Sequence, residues 1–198
     1  MISLQNKMLE NERIELSGKD SYYLGPNLTL RSCTVVLKVS AKALTINKVR
    51  FIDCRVEAKK ALNNFYWLDA FITKCHFTGK FIGSDFGNLP SHFDPEGGIE
   101  HSDFSEAILD GCRFIGCDSS TIKFPRWPCF TILDPVGRLA KLKAVRWPGD
   151  ADILVENIAD FPPSTAAVTY LATAIEKELD AGQEELRAVL EKLGNVIM

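Results

Sequence analysis

The chain lacks any apolar run approaching the roughly 20 residues that a membrane span requires. Its opening, Met1-Ile2-Ser3-Leu4-Gln5-Asn6-Lys7, has neither a long apolar core nor a cleavage-site pattern, so a secretory leader is not expected and a cytoplasmic protein is. Charge of one sign is scarce as well: 23 Lys and Arg stand against 26 Asp and Glu, a net charge of -3. That balance excludes the basic bias of a general nucleic-acid binder, and it is too mild to establish polyanion mimicry. Catalytic signatures are missing: there is no Gly-x-Ser-x-Gly elbow, no phosphate-cradling glycine loop and no His-Glu-x-x-His. No close Cys-Cys-His grouping suggests zinc. The expectation is therefore no catalytic residue, no metal and no cofactor. At 198 residues, 46% hydrophobic and 25% charged, the chain is long enough and apolar enough to bury a core.

What is present is a repeat. Leu28–Val35, Val49–Val56 and Ala70–Phe77 align without gaps at a spacing of 21, and Ala107–Phe114 reads as a fourth copy after 16 extra residues. Leu30, Phe51, Ile72 and Leu109 share a column, as do Val35, Val56, Phe77 and Phe114. Four of the six cysteines, Cys33, Cys54, Cys75 and Cys112, form another, and Tyr23, Leu44, Phe65 and Phe86 a further one. Each apolar-x-apolar triplet is a short strand with two side chains on one face. Successive triplets begin five residues apart, so a turn separates them, and the spacing is not that of a helix. A chain coiled so that equivalent triplets stack about 4.8 Å apart satisfies both facts. Column cysteines then serve as small interior groups, and the parallel Cβ vectors of stacked coils suit disulfides poorly, so free, buried thiols are expected.

From Ser102 to Phe124 the pairs Ser102/Phe104, Ala107/Leu109, Cys112/Phe114, Cys117/Ser119 and Ile122/Phe124 recur every five residues. This pattern resembles the pentapeptide-repeat family, whose coils place Ala or Cys beside Leu or Phe inside a square β-helix. The resemblance spans roughly residues 28–133 and implies a scaffold for binding. The expected fold is mainly β: a right-handed parallel β-helix of about 21 residues per coil with a C-terminal helical hairpin cap. The expected divisions are an N-terminal cap and incomplete first rung at 1–27, the β-helix at 28–158 with an inserted loop at 91–106, and a two-helix cap at 159–198.

At the N-terminus, Ile14 and Tyr23 fall in the established columns. Further on, Phe130–Leu133 is echoed by Ala151–Leu154 as degenerate last rungs, and two Arg-Trp-Pro sequences (126–128 and 146–148) suggest tryptophans packed near the end of the core. Beyond Pro162-Pro163, Ser164 is placed to cap a helix carrying Val168, Leu171, Ala172, Ile175 and Leu179; Gly182 then breaks it before Leu186, Val189, Leu190 and Leu193. The segment Ser91–Glu106 holds five carboxylates, two of the three histidines and no Lys or Arg. Read as a loop leaving one face of the solenoid, it is the candidate binding region, with His92, Phe93, Asp94, Glu96, Glu100, His101 and Asp103 as partner-contacting residues.

The expected function is non-enzymatic binding of another protein, most concretely a bacterial immunity protein that neutralises a cognate, basic toxin domain through complementary charge. Two alternatives are a DNA-mimicking inhibitor of a topoisomerase, as in some pentapeptide-repeat proteins, and a polysaccharide-acting β-helix enzyme. No membrane or direct nucleic-acid contact is expected, and the sequence leaves the oligomeric state open.

Overall fold

The computed structural model describes residues 1–89 and 97–198. Each of the first three coils carries three strands. The first has β1 (Ile2–Leu4), β2 (Lys7–Glu10) and β3 (Arg13–Leu16); the second β4 (Tyr22–Leu24), β5 (Leu28–Arg31) and β6 (Thr34–Leu37). The third has β7 (Leu44–Ile46), β8 (Val49–Ile52) and β9 (Arg55–Asn63), and the fourth β10 (Ala70–Thr73) and β11 (His76–Ile82). After β12 (Asp85–Gly87) come β13 (Gly98–Glu100), β14 (Asp103–Asp110) and β15 (Cys112–Ile115). Stacking equivalent strands gives three walls: β1-β4-β7, then β2-β5-β8-β10-β13, then β3-β6-β9-β11-β14, all parallel. The result is a mainly β parallel solenoid of about 21 residues per coil, with Leu30 opposite Phe51 and Val35 opposite Val56.

The corners explain how so short a repeat can turn. Asn11, Ser32, Asp53, Lys74 and His101 occupy one corner in successive coils, all in the left-handed region with φ between 49 and 56°. There the first four each donate a backbone N–H to a carbonyl of the next coil, so the bend leaves these donors satisfied. Beside this corner, Cys33, Cys54 and Cys75 point inward, and each Sγ donates to a carbonyl of the preceding coil, Leu9, Leu30 and Phe51 respectively. All six cysteines are unpaired and five are buried.

The core changes character along the axis. Leu16, Leu24, Leu28, Leu30 and Val35 fill the early coils, whereas Phe51, Trp67, Phe77, Phe81, Phe86, Phe104 and Phe114 fill the later ones. The Trp67 ring stacks on Phe86 at 5.8 Å and meets Phe65 and Phe77 edge-on at 5.1 and 5.6 Å, arrangements that suit the quadrupoles of the rings. The third wall lengthens to hold them: β9, β11 and β14 have nine, seven and eight residues against four in β3 and β6.

Several expectations are corrected. The fourth copy does not stack beneath residues 70–77. Ile72 pairs with Ile99 and His76 with Asp103, an offset of 27, while Leu109 lies opposite Phe81 and Phe114 opposite Phe86. The 107–114 motif therefore sits further round the coil than the 70–77 motif it resembles. Residues 98–110 are not part of a protruding loop; they form two wall strands, because Ile99, Phe104, Ala107 and Leu109 alternate inward and are buried. Gly97 lies where the chain presses on the fourth coil, and a Cβ there would be 1.8 Å from the Leu68 carbonyl oxygen. In the first wall the inward residue is Tyr22, paired with Leu44, rather than Tyr23, which is only half-buried.

The C-terminal region also differs. β16 (Cys129–Leu133) is a strand, but Ala151–Leu154 leads into a helix, not a rung; α1 (Leu139–Lys143) and α2 (Ile153–Ala159) separate β16 from β17 (Thr165–Leu171). Ser164 does not cap a helix. Thr165–Leu171 is a strand buried on both faces, which favours its β-branched and aromatic residues, and it runs antiparallel to both β15 and β16. α3 (Ala172–Leu179) and α4 (Gln183–Leu193) follow, and β18 (Val196–Ile197) returns to pair with β16. These elements enclose a second core of Phe130, Ile132, Trp147, Ile158, Val168 and Leu186. Trp147 is buried there, its Nε1 donating to the Leu142 carbonyl at 2.9 Å, and the half-buried Trp127 lies 5.5 Å beneath the Arg187 guanidinium. No helix among the described residues is long and apolar enough to cross a membrane.

Candidate protein-binding face

The third wall determines where the charged side chains stand. Its outward positions fall in two columns by strand register. One is Arg13, Thr34, Arg55, His76 and Asp103; the other is Glu15, Val36, Glu57, Thr78 and Glu106. Opposite charges in adjacent columns pair across and along the strands. Glu15 meets Lys38 at 2.5 Å, Glu57 meets Lys59 at 2.9 Å and Arg55 at 3.3 Å, and Glu106 meets Arg55 at 3.4 Å, while the His76 ring shares a hydrogen bond with Glu106 at 2.7 Å. A hydrogen bond from Lys59 holds the Glu57 carboxyl below the usual carboxylate range, against the opposing effect of burial.

Of the sequence candidates, His92, Phe93, Asp94 and Glu96 lie outside the described residues. The structure brings the other three together at the corner between the second and third walls. Glu100 closes β13, exposed, with one oxygen accepting from Thr73 Oγ1 at 3.2 Å. His101 occupies the left-handed corner with φ 49° and projects into solvent. Asp103 opens β14; burial raises its pKa, but hydrogen bonds from Ser105 and the nearby Lys123 ammonium at 3.2 Å outweigh it and leave the carboxyl lowered. A shallow groove of about 380 Å³ joins His101 and Asp103 to Lys74, His76, Thr121 and Lys123.

The sequence reading missed these cations. Residues 91–106 contain no Lys or Arg, yet Arg55, Lys74 and Lys123 come from other stretches of the chain and stand beside them. The 21-residue register carries that signal for Arg55 and Lys74, since a correct alignment of 98–104 under 71–77 places both on the same corner and wall. Two of the described candidate-segment carboxylates, Asp103 and Glu106, are thus held in ion pairs with Lys123 and Arg55.

Chemically, the face offers ion pairing and hydrogen bonding. Burial pushes the Cys112 thiol up to about 12, which makes it a poor nucleophile. Among the described residues no group of three or more His, Cys, Asp or Glu side chains is placed to hold a metal ion. No protein-family profile matches the chain, and no curated protein matches it either.

Proposed function

We propose that the chain is a non-enzymatic protein-binding module acting in the cytosol, with the outer surface of the third wall and its adjoining corner as the contact face. The observation that carries this reading is the fixed pattern of opposite charges on that wall. Strand stacking holds Arg55, Glu57, His76, Glu106, Asp103 and Lys123 at set positions, so the surface is presented with little further ordering cost. Such a mixed pattern suits a complementary protein surface, where charge confers encounter rate and register. It suits a DNA mimic less well, because a mimic needs unbroken negative charge and these carboxylates have cationic neighbours.

The more specific form of the proposal is an immunity protein that neutralises a toxin domain. It is supported by the acid-rich composition of residues 91–106 and by the scaffold role implied by the pentapeptide-repeat resemblance. The inward pairs Ser102/Phe104, Ala107/Leu109 and Cys112/Phe114 are all buried, in keeping with that kinship, although three strands per coil differ from a square coil. The test is co-expression with the product of the adjacent gene. Co-elution and rescue from its toxicity are expected, and reversing Arg55→Glu with Lys123→Glu should weaken the complex at least about tenfold, the size expected for charge pairs at an interface. Absence of both co-elution and rescue overturns the immunity reading; a complex untouched by the reversal moves the contact away from this wall.

A further inference from the structure

The first coil is an unfinished surface. β1, β2 and β3 are each the terminal strand of their sheet. Their bonding to the second coil uses one set of backbone groups: Ile2 and Leu4 in β1, Asn11 beside β2, and Glu12 and Leu16 flanking Ile14 in β3. The alternate residues, including Arg13 and Glu15, therefore direct their N–H and C=O groups away from the molecule. Inside this rim Leu4, Leu9 and Ile14 are only partly buried, and Ile2 is 40% exposed. Free strand edges over an uncovered core are a standing invitation to pairing.

We propose that this end is a self-association surface on which a second copy of the chain docks head to head about a two-fold axis. Three edges on a triangle match another copy of the same triangle, whereas a single extended peptide satisfies one edge alone. A two-fold axis through the third wall lays β3 antiparallel on the β3 strand of the other copy, and β1 on the other copy's β2. Antiparallel closure is already used by this molecule, since β17 closes β15 in that sense.

The charges select the register. The residues with outward-directed backbone groups are Arg13 and Glu15, so only these form the reciprocal hydrogen-bonded pairs. Centring the axis on Ile14 sets Arg13 opposite Glu15 of the second copy, twice per dimer, and brings the two Ile14 side chains together in the joined core. A shift of the axis to Arg13 or to Glu15 sets like charges directly opposite, which is unfavourable. Glu15 Oε1 is engaged by Lys38, which leaves Oε2 for the incoming arginine.

This inference is independent of the partner-binding reading. The experiment is sedimentation of the full chain over a concentration series, with circular dichroism of each variant to verify the fold. A dimer is expected for the unmodified chain. Arg13→Glu and Glu15→Arg should each weaken dimerisation about tenfold, as two attractive pairs become repulsive. An equimolar mixture of the two variants should dimerise again, because each then supplies the charge the other lacks. A chain that stays monomeric throughout overturns the proposal, as does a dimer indifferent to both substitutions or two folded variants that fail to complement each other.

Discussion

At the N-terminal end, three strands carry free edges over side chains that are half in water. At the C-terminal end, β17 lies antiparallel over β15, β16 and β18 extend the same sheet, and a second core closes behind them. The covered end is also tied down. Arg138 donates to the Leu193 carbonyl at 2.6 Å, Arg126 donates to the Met198 carbonyl at 3.1 Å, and Thr131 and Thr169 share a buried hydrogen bond of 2.8 Å between β16 and β17. A solenoid repeat can add coils indefinitely, so its ends must come from residues that break the repeat. Here the break at one end is an antiparallel strand with helices. At the other end only side chains of mixed character border the edge. Stability should therefore be unequal along the axis, with opening easiest at the first coil.

The largest expected contrast comes from emptying the core near each end. Phe114 is fully buried and its ring lies 5.2 Å from Phe86, 5.2 Å from Phe104 and 5.0 Å from Phe124. Phe114→Ala leaves an enclosed cavity and should cost about 3–5 kcal/mol. Leu9 is partly buried with no coil beyond it. Leu9→Ala loses transfer free energy without enclosing a void and should cost about 1 kcal/mol. Urea unfolding of both variants measures the difference. Equal losses would mean that the first coil is as firmly packed as the fifth.

How much of this inequality is legible in the sequence depends on the element. The repeat columns of residues 28–77 are readable because β-branched, aliphatic and cysteine residues recur at one period, and the structure stacks them at 21. The alignment fails at 107–114 because the same local pattern, small residue then turn then aromatic, suits any corner of the coil. Nothing within the motif says which wall it occupies; only the count of residues after Gly97 does. The misreading of 98–106 as a loop follows from that one slip. Glu100, His101 and Asp103 are close together as the sequence suggests, but their cationic neighbours are not visible without the corrected register. The helical spacing of Val168, Leu171 and Ala172 predicts a helix where Thr165–Leu171 is a strand. Burial on both faces removes the alternation that would mark a strand, so tertiary contact with β15 and β16 decides the matter.

A second pair of substitutions probes the backbone. Gly87, with φ 108°, ends β12 beside β15, and a Cβ there would lie 2.0 Å from the Ile115 carbonyl oxygen. Gly87→Ala must push apart two hydrogen-bonded strands and should cost more than about 2 kcal/mol, strain and lost pairing together. Gly18, with φ 82°, has no heavy atom within 4 Å of the same added carbon. Gly18→Ala bears only the conformational cost, about 1 kcal/mol. Thermal melts of the two variants rank them, and a Gly18 variant as damaged as the Gly87 variant would show the first turn to be more constrained than its surroundings suggest.

The smallest contrast is one of pH. Asp110 lies beneath the covering strand: burial raises its pKa, the Leu171 N–H at 3.3 Å and Lys80 partly oppose this, and Glu178 adds to it. A carboxyl raised in the folded state favours folding most when protonated. That contribution is complete below its unfolded value near 3.8 and is lost as pH rises through the folded value. Asp110→Asn, which keeps an acceptor for Leu171, should therefore raise the melting temperature at pH 7 and change it little at pH 3. Glu15 at the open end behaves in the opposite sense. A hydrogen bond from Lys38 lowers its pKa, so its contribution is present above the unfolded value near 4.5 and is lost as pH falls through the folded one. Glu15→Gln, measured at a concentration that keeps the chain monomeric, should slightly lower the melting temperature at pH 7 and leave it unchanged at pH 3. Opposite signs at neutral pH separate a carboxylate deprived of water by the covering strand from one that remains in it. If Asp110→Asn instead destabilises at pH 7, the hydrogen bond that the carboxylate makes to β17 outweighs its burial, and the covered end is held partly by charge.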